Sequence, residues 1–261
     1  GRIVEEAESK EIFNKPKSDY AKLLISSIPD MSGFREVGQT KGVVLLTVEN
    51  LKVSFAGRKR LFGKTEYIPA VDGVSFDVYK GETLGLVGES CCGKSTLSRT
   101  ILKLIKKTSG RIVFDGEEIE SLSKQDMKLF RKRVQLIFQN SYSSLNPRMT
   151  VRESLLAPLN ILGIRGEEAE ERVKRALYEI GLNEGFAERY PHELSGGQKQ
   201  RIVIARALIG DPELVICDEP VSALDVSIQA EILALLEKLK KEKGLTYIFI
   251  SHDLGVVKHM C

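Results

Sequence analysis

One stretch of nine residues, Gly88-Glu89-Ser90-Cys91-Cys92-Gly93-Lys94-Ser95-Thr96, limits what this chain can fold into more than any other. It fits the pattern G-x-x-x-x-G-K-[ST], and its surroundings agree. Thr83 to Val87 before it reads as a buried strand, and Ser95 to Lys106 after it as a helix. A loop of this kind turns successive backbone N–H groups and a helix N-terminus toward one point, where partial positive charge suits phosphate. Lys94 would reach the β- and γ-phosphates of a bound nucleotide, and Ser95 would give its hydroxyl to Mg²⁺.

The remaining patterns build a fold around that loop. Val134 to Phe138, Leu214 to Cys217 and Thr246 to Ile250 are further apolar runs of strand length with helical patterns between them. Strands alternating with helices predict a parallel sheet covered on both faces, an α/β core. Upstream, Val43-Val44-Leu45-Leu46 and Val74-Ser75-Phe76-Asp77-Val78 are separated by a basic, glycine-bearing stretch at 57–65, which predicts an antiparallel β layer with a long hairpin. Between Leu145 and Tyr190 no strand is predicted, and Glu167 to Ile180 is a charged amphipathic helix, so about 141–195 reads as an inserted α-helical subdomain. A chain of 261 residues, 42% hydrophobic, is long enough to bury one large core with such an insertion.

Charge and cysteine usage narrow the setting. Lys and Arg number 39 against 36 Asp and Glu, too even a balance to call for a nucleic-acid partner. Cys91, Cys92, Cys217 and Cys261 have no metal-ligand spacing, and the adjacent pair would bridge only with strain, which predicts a reducing, cytosolic setting. No apolar run approaches the roughly 18 residues of a membrane span, and Gly1 to Lys10 is charged where a leader would be apolar, so a membrane role would come through a partner.

Two more motifs carry chemistry. Leu214-Val215-Ile216-Cys217-Asp218-Glu219 is an apolar strand ending in two carboxylates. Asp218 would hold Mg²⁺, directly or through water, and Glu219, pointing elsewhere, would polarise an attacking water as general base. Leu194-Ser195-Gly196-Gly197-Gln198 opens a long helix pattern. Ser195 and Gln198 make a capping box, while the two glycines predict close backbone approach to a second phosphate site.

Together these motifs, in this order with Ser251-His252-Asp253, resemble the ATP-binding cassette (ABC) ATPases from Leu46 to Met260. The resemblance implies a P-loop NTPase core that binds ATP and Mg²⁺, with Gly88, Glu89, Ser90, Cys91, Cys92, Gly93, Lys94, Ser95 and Thr96 around the phosphates. It further implies a second ABC ATPase subunit, homologous or identical, whose phosphate loop faces Ser195, Gly196, Gly197 and Gln198. Gln139 resembles the glutamine that contacts metal and water and relays to a membrane partner. Asp225 resembles the D-loop aspartate, His252 the switch histidine near the γ-phosphate, and Phe55 the aromatic that stacks on adenine, with Tyr67 as its rival. The segments Phe138-Gln139-Asn140-Ser141-Tyr142-Ser143-Ser144-Leu145-Asn146-Pro147-Arg148-Met149-Thr150 and Ala70-Val71-Asp72-Gly73-Val74-Ser75-Phe76 are similar to oligopeptide and dipeptide permease ATPases, a subfamily shared with nickel and some sugar importers. That likeness implies an ATPase at the cytoplasmic face of the membrane, bound peripherally to integral permease subunits and served indirectly by an extracytoplasmic solute-binding protein. The alternatives are a non-transport ABC ATPase or a degenerate nucleotide-binding subunit.

The chain departs from that family at two places. Cys91 stands where these cassettes usually have glycine. Residues 1–40, with Ile12, Phe13, Tyr20, Leu23, Leu24 and Ile28, resemble the tail that such ATPases carry after the switch histidine, yet here they precede the cassette at 41–261. Either the order is rearranged or one subunit's tail is joined to the next. The apolar stripe predicts a head buried against the cassette, with Gly1 near Cys261.

Overall fold

The computed structural model describes residues 4–26, 42–57, 67–89, 91–139 and 144–261. Four strands, β3 (Thr83–Val87), β6 (Val134–Ile137), β7 (Leu214–Asp218) and β8 (Thr246–Ser251), form the expected parallel sheet in the order β3-β8-β7-β6. β1 (Val44–Ala56), β2 (Tyr67–Tyr79), β4 (Ser109–Phe114) and the short β5 (Glu117–Glu118) form an antiparallel sheet in the order β2-β1-β4-β5.

Both faces of the parallel sheet are covered, as its continuous apolar strands require. Side chains alternate along each strand, so Ile137, Val215, Cys217, Tyr247 and Phe249 enter one core and Leu136, Leu214, Ile216, Ile248 and Ile250 another. The first core is shared with helices α5 (Val151–Ile161), α6 (Gly166–Glu179), α7 (Gly196–Leu208) and α8 (Val226–Lys243). The second is shared with the antiparallel sheet, α3 (Lys94–Ile101) and α4 (Lys124–Arg133). α9 (Leu254–Met260) packs on β3 and β8.

Helix α3 ends earlier than the pattern through Lys106 predicts, because the chain turns at Lys103, whose φ is +56° and whose Nζ donates to Ile119 O at 3.0 Å. Between Ser144 and Ser195 the described residues hold helices and turns without a strand. Leu155 and Leu159 of α5 and Val173 and Leu177 of α6 are fully or nearly fully buried in the same core as Val215.

The described part of the head buries its stripe only in part, with Ile12 and Leu24 half-buried. Pro16 and a Glu5 carboxylate that accepts from Lys17 N (3.0 Å) and Ser18 N (2.8 Å) separate α1 (Ser9–Asn14) from α2 (Asp19–Ser26), so the apolar residues fall on two short helices. Phe13, Tyr20 and Leu23 stay exposed, although α2 touches α8. Ile28 and Gly1 lie outside the described residues, and with them the expected closeness of Gly1 to Cys261.

Because α5 and the parallel sheet share one core, Leu155→Ala should lower a single cooperative unfolding transition by about 2–5 kcal/mol. Denaturant titration followed by circular dichroism checks this, and two separate transitions would contradict a shared core.

Candidate active site

The four parallel strands end at one edge, and each hands over to polar residues there. β3 runs into the loop at Gly88, β6 into Gln139, β7 into Asp218 and Glu219, and β8 into His252. A cavity of about 800 Å³ opens at this edge, lined by Cys91, Gly93, Lys94, Ser95, Thr96, Gln139, Glu219 and His252, with Ala70, Ser222 and Ala223.

The loop is shaped by close approaches. Gly93 has φ +101° and a Cβ there would fall 2.0 Å from Ala70 O, so only glycine fits. A Cβ on Gly88 would meet Cys92 Sγ at 2.7 Å. Lys94 is nearly buried, and its Nζ donates to Gly88 O (2.6 Å) and Glu89 O (2.7 Å), tying the helix start to the loop entry. Glu89 and Cys92 are exposed beside the cavity, and Ser90 lies outside the described residues. Cys91 takes φ +67°, the left-handed conformation in which a Cβ is crowded.

Beneath the loop, Ser95 Oγ donates to Asp218 Oδ1 at 3.2 Å. Asp218 is 2% exposed, and burial pushes its carboxyl above the usual range, aided by the neighbouring Glu219 and opposed by the Ser95 hydroxyl. Folding therefore disfavours the ionised Asp218, a cost that grows as pH rises through its raised pKa and that a hard cation held by these oxygens would offset. The donor set fits Mg²⁺ in that respect.

Glu219 is gripped from both sides. Gln139 Nε2 donates to Glu219 Oε2 at 2.7 Å, and His252 Nδ1 lies 3.3 Å from Oε1. Its backbone has φ +50°, fixed by a hydrogen bond from Glu219 N to Ile250 O (3.0 Å). A carboxylate so oriented beside a phosphate cradle can take a proton from a water attacking phosphorus.

Other expected residues stand apart from the cavity. Ser195 caps α7, its Oγ accepting from Gln198 N (3.3 Å) while Gln198 Oε1 accepts from Ser195 N (3.0 Å). The two glycines sit differently, Gly196 half-buried and Gly197 buried. Gly197 is buried, and a Cβ there would lie 2.7 Å from Ile228 Cγ2, so close packing of α7 on α8 already requires it. Asp225 precedes α8 without capping it through its side chain. Phe55 is 45% exposed opposite Ile68, two residues along β2 from the cavity-lining Ala70, hence on the same face of the sheet. Ala70 itself had no sequence signal beyond the glycine that its carbonyl demands at position 93.

A glycine-shaped phosphate cradle between strand and helix, with carboxylates on a nearby parallel strand, defines a P-loop nucleoside triphosphatase. The chain belongs to the ABC transporter family as an ATP-binding ATPase: the family model described as "ABC transporter" matches residues 71–222. It is similar to the oligopeptide transport ATP-binding protein AppF of Bacillus subtilis, 52% identical over 219 residues, 83% of this chain and 67% of that protein. It is 49% identical over 222 residues to the oligopeptide transport ATP-binding protein OppF of Escherichia coli, with 83% of this chain and 66% of that protein covered. The glutathione import ATP-binding protein GsiA of Salmonella paratyphi A is 41% identical over 286 residues, covering 100% of this chain and 46% of that protein, so the head-then-cassette order recurs there. The chain thus spans about two thirds of the first two relatives and under half of the third. Among solved structures, the ATP-binding cassette MJ0796, a dimer in a post-hydrolysis state bound to ADP and Pi, matches with a TM-score of 0.69 and 32% identity, covering 82% of this chain and 90% of that one.

Replacing Cys91 by glycine should relieve the left-handed strain and stabilise the fold by about 1 kcal/mol. Chemical denaturation of the two proteins side by side checks this, and an unchanged or lower midpoint would show that the thiol's contacts outweigh the strain.

Proposed function

We propose that this chain is the ATP-hydrolysing subunit of an importer that drives oligopeptides or dipeptides through integral permease subunits, at the cytoplasmic face of the membrane. The observation that carries it is Glu219, fixed by Gln139 and His252 at the mouth of the Lys94 cradle, an arrangement suited to turnover rather than to nucleotide binding alone. The peptide cargo rests on relatives named for oligopeptide transport and glutathione import. No helix among the described residues is long and apolar enough to cross a membrane, so the solute path falls to partners.

In this reading, Gly88 to Thr96 cradle the phosphates of ATP, Lys94 neutralises β- and γ-oxygens, and Phe55 supports the adenine. Mg²⁺, held by Ser95, Gln139 and Asp218, would supply neutralising charge. Glu219 accepts the proton of the attacking water, and His252, with Nδ1 3.3 Å from its Oε1, flanks that carboxylate. Ser195, Gly196, Gly197 and Gln198 of one subunit, with Asp225, complete the site of a second ABC subunit, a pairing that the dimeric MJ0796 cassette supports. Residues of about 141–195 form a helical arm that carries this surface, and 1–40 is a tail-like segment joined ahead of the cassette at 41–261. An extracytoplasmic binding protein would deliver the solute.

Glu219→Gln keeps shape but removes the base. Steady-state phosphate release should fall by about 10²–10³-fold, while ATP affinity stays within a few-fold of wild type. Turnover near the wild-type rate would remove Glu219 from this role.

A further inference from the structure

Glu219 has a backbone that its own side chain and the next residue both resist. Its φ of +50° is left-handed, where a Cβ is crowded. Pro220 follows it, and a proline favours an extended residue before it, with φ of roughly −120°. A conformation of this kind persists only where the surroundings impose it from more than one side. On the amide side, Ile250 O accepts from Glu219 N at 3.0 Å. On the carbonyl side stands Ser222.

Ser222 approaches the Glu219 carbonyl oxygen with two donors, its N–H at 3.4 Å and, nearer, its Oγ at 3.2 Å. The turn between the two residues is anchored, because Pro220 and Val221 are buried. Ser222 itself is exposed and lines the cavity with Glu219, Gln139 and His252. Alanine in its place would keep the turn and the longer bond and lose the hydroxyl.

The Glu219 carboxylate depends on this backbone. Its contacts with Gln139 Nε2 at 2.7 Å and with His252 Nδ1 at 3.3 Å hold only while the left-handed φ directs Cβ toward the cavity. Relaxation toward extended backbone would swing both carboxylate oxygens away. We infer that Ser222 is a positioning residue for hydrolysis: its hydroxyl, on the Glu219 carbonyl, holds the left-handed backbone that aims the Glu219 carboxylate into the cavity. The inference rests on the reading of Glu219 as the base.

The test has two parts, both on the whole chain. In the nucleotide-free protein, Ser222→Ala should speed hydrogen exchange at the Glu219 amide several-fold, and Ser222→Thr, which keeps the hydroxyl, should leave it near wild type. In a double-mutant cycle of Ser222→Ala, Glu219→Gln and the pair, kcat, KM and ATP affinity are measured for each. Ser222→Ala should lower kcat roughly 3- to 10-fold, the rate equivalent of about one neutral hydrogen bond, with KM and ATP affinity near wild type. Ser222→Thr should recover most of that loss. Once Glu219→Gln has removed the base, adding Ser222→Ala should cost nothing further. Unchanged amide exchange or wild-type kcat in Ser222→Ala, an equal loss in both backgrounds, or a loss carried by ATP affinity would overturn the inference while leaving the proposed function standing. Turnover near the wild-type rate in Glu219→Gln would instead remove the reading on which it rests.

Discussion

The parallel register of β3, β8, β7 and β6 holds the site together. Ile137 stands opposite Cys217, Cys217 opposite Phe249, and Val87 opposite Ser251, so the strand ends that carry Gln139, Asp218, Glu219, Gly88 and His252 finish level with one another. Strands buried on both faces cannot slip by one residue without exchanging the side chains of two different cores. Here the exchange would swap Val215, Cys217 and Phe249 with Ile216 and Ile250, which face differently shaped neighbours. Core packing thus fixes which strand ends meet at the cavity, and contacts such as that of Gln139 with Glu219 orient the side chains there.

On that frame the polar groups add local costs. Asp218 is buried with its carboxyl disfavoured in the charged form, while Cys91 and Glu219 adopt left-handed backbone that side chains resist. Gly93 gives up conformational freedom to pass Ala70 O. Each cost lies within a few residues of the cavity, as expected where stability is given up for geometry. The two cores that flank the sheet supply the offset.

The parallel strands were legible in the sequence because burial on both faces leaves nearly unbroken apolar runs, and the phosphate loop because its glycines have no other use. β4 was missed: Gly110 and Arg111 interrupt its run, and only Ile112 and Phe114 of that strand are buried. The end of α3 was misplaced because nothing in the lysine-rich segment after Ile101 signals that Lys103 turns left-handed. The packing demand on Gly197 was hidden, since Ile228 lies on another helix. In the head, Pro16 marks the break between α1 and α2 that divides its apolar residues. Its position before the cassette, odd beside a single subunit, is shared with the glutathione import relative.

If ATP is hydrolysed at a site completed by two chains, the cradle from one and the Ser195 surface from the other, then two differently disabled chains should rescue each other. Lys94→Ala disables the cradle and Ser195→Arg the surface, so each variant alone should hydrolyse ATP near background. Mixed in equal amounts they should regain about a quarter of the wild-type rate, because half of randomly formed dimers would contain one intact site of two. A mixture that stays at background while the wild-type chain turns over, or a Ser195→Arg variant that hydrolyses ATP normally by itself, would contradict a site shared between chains.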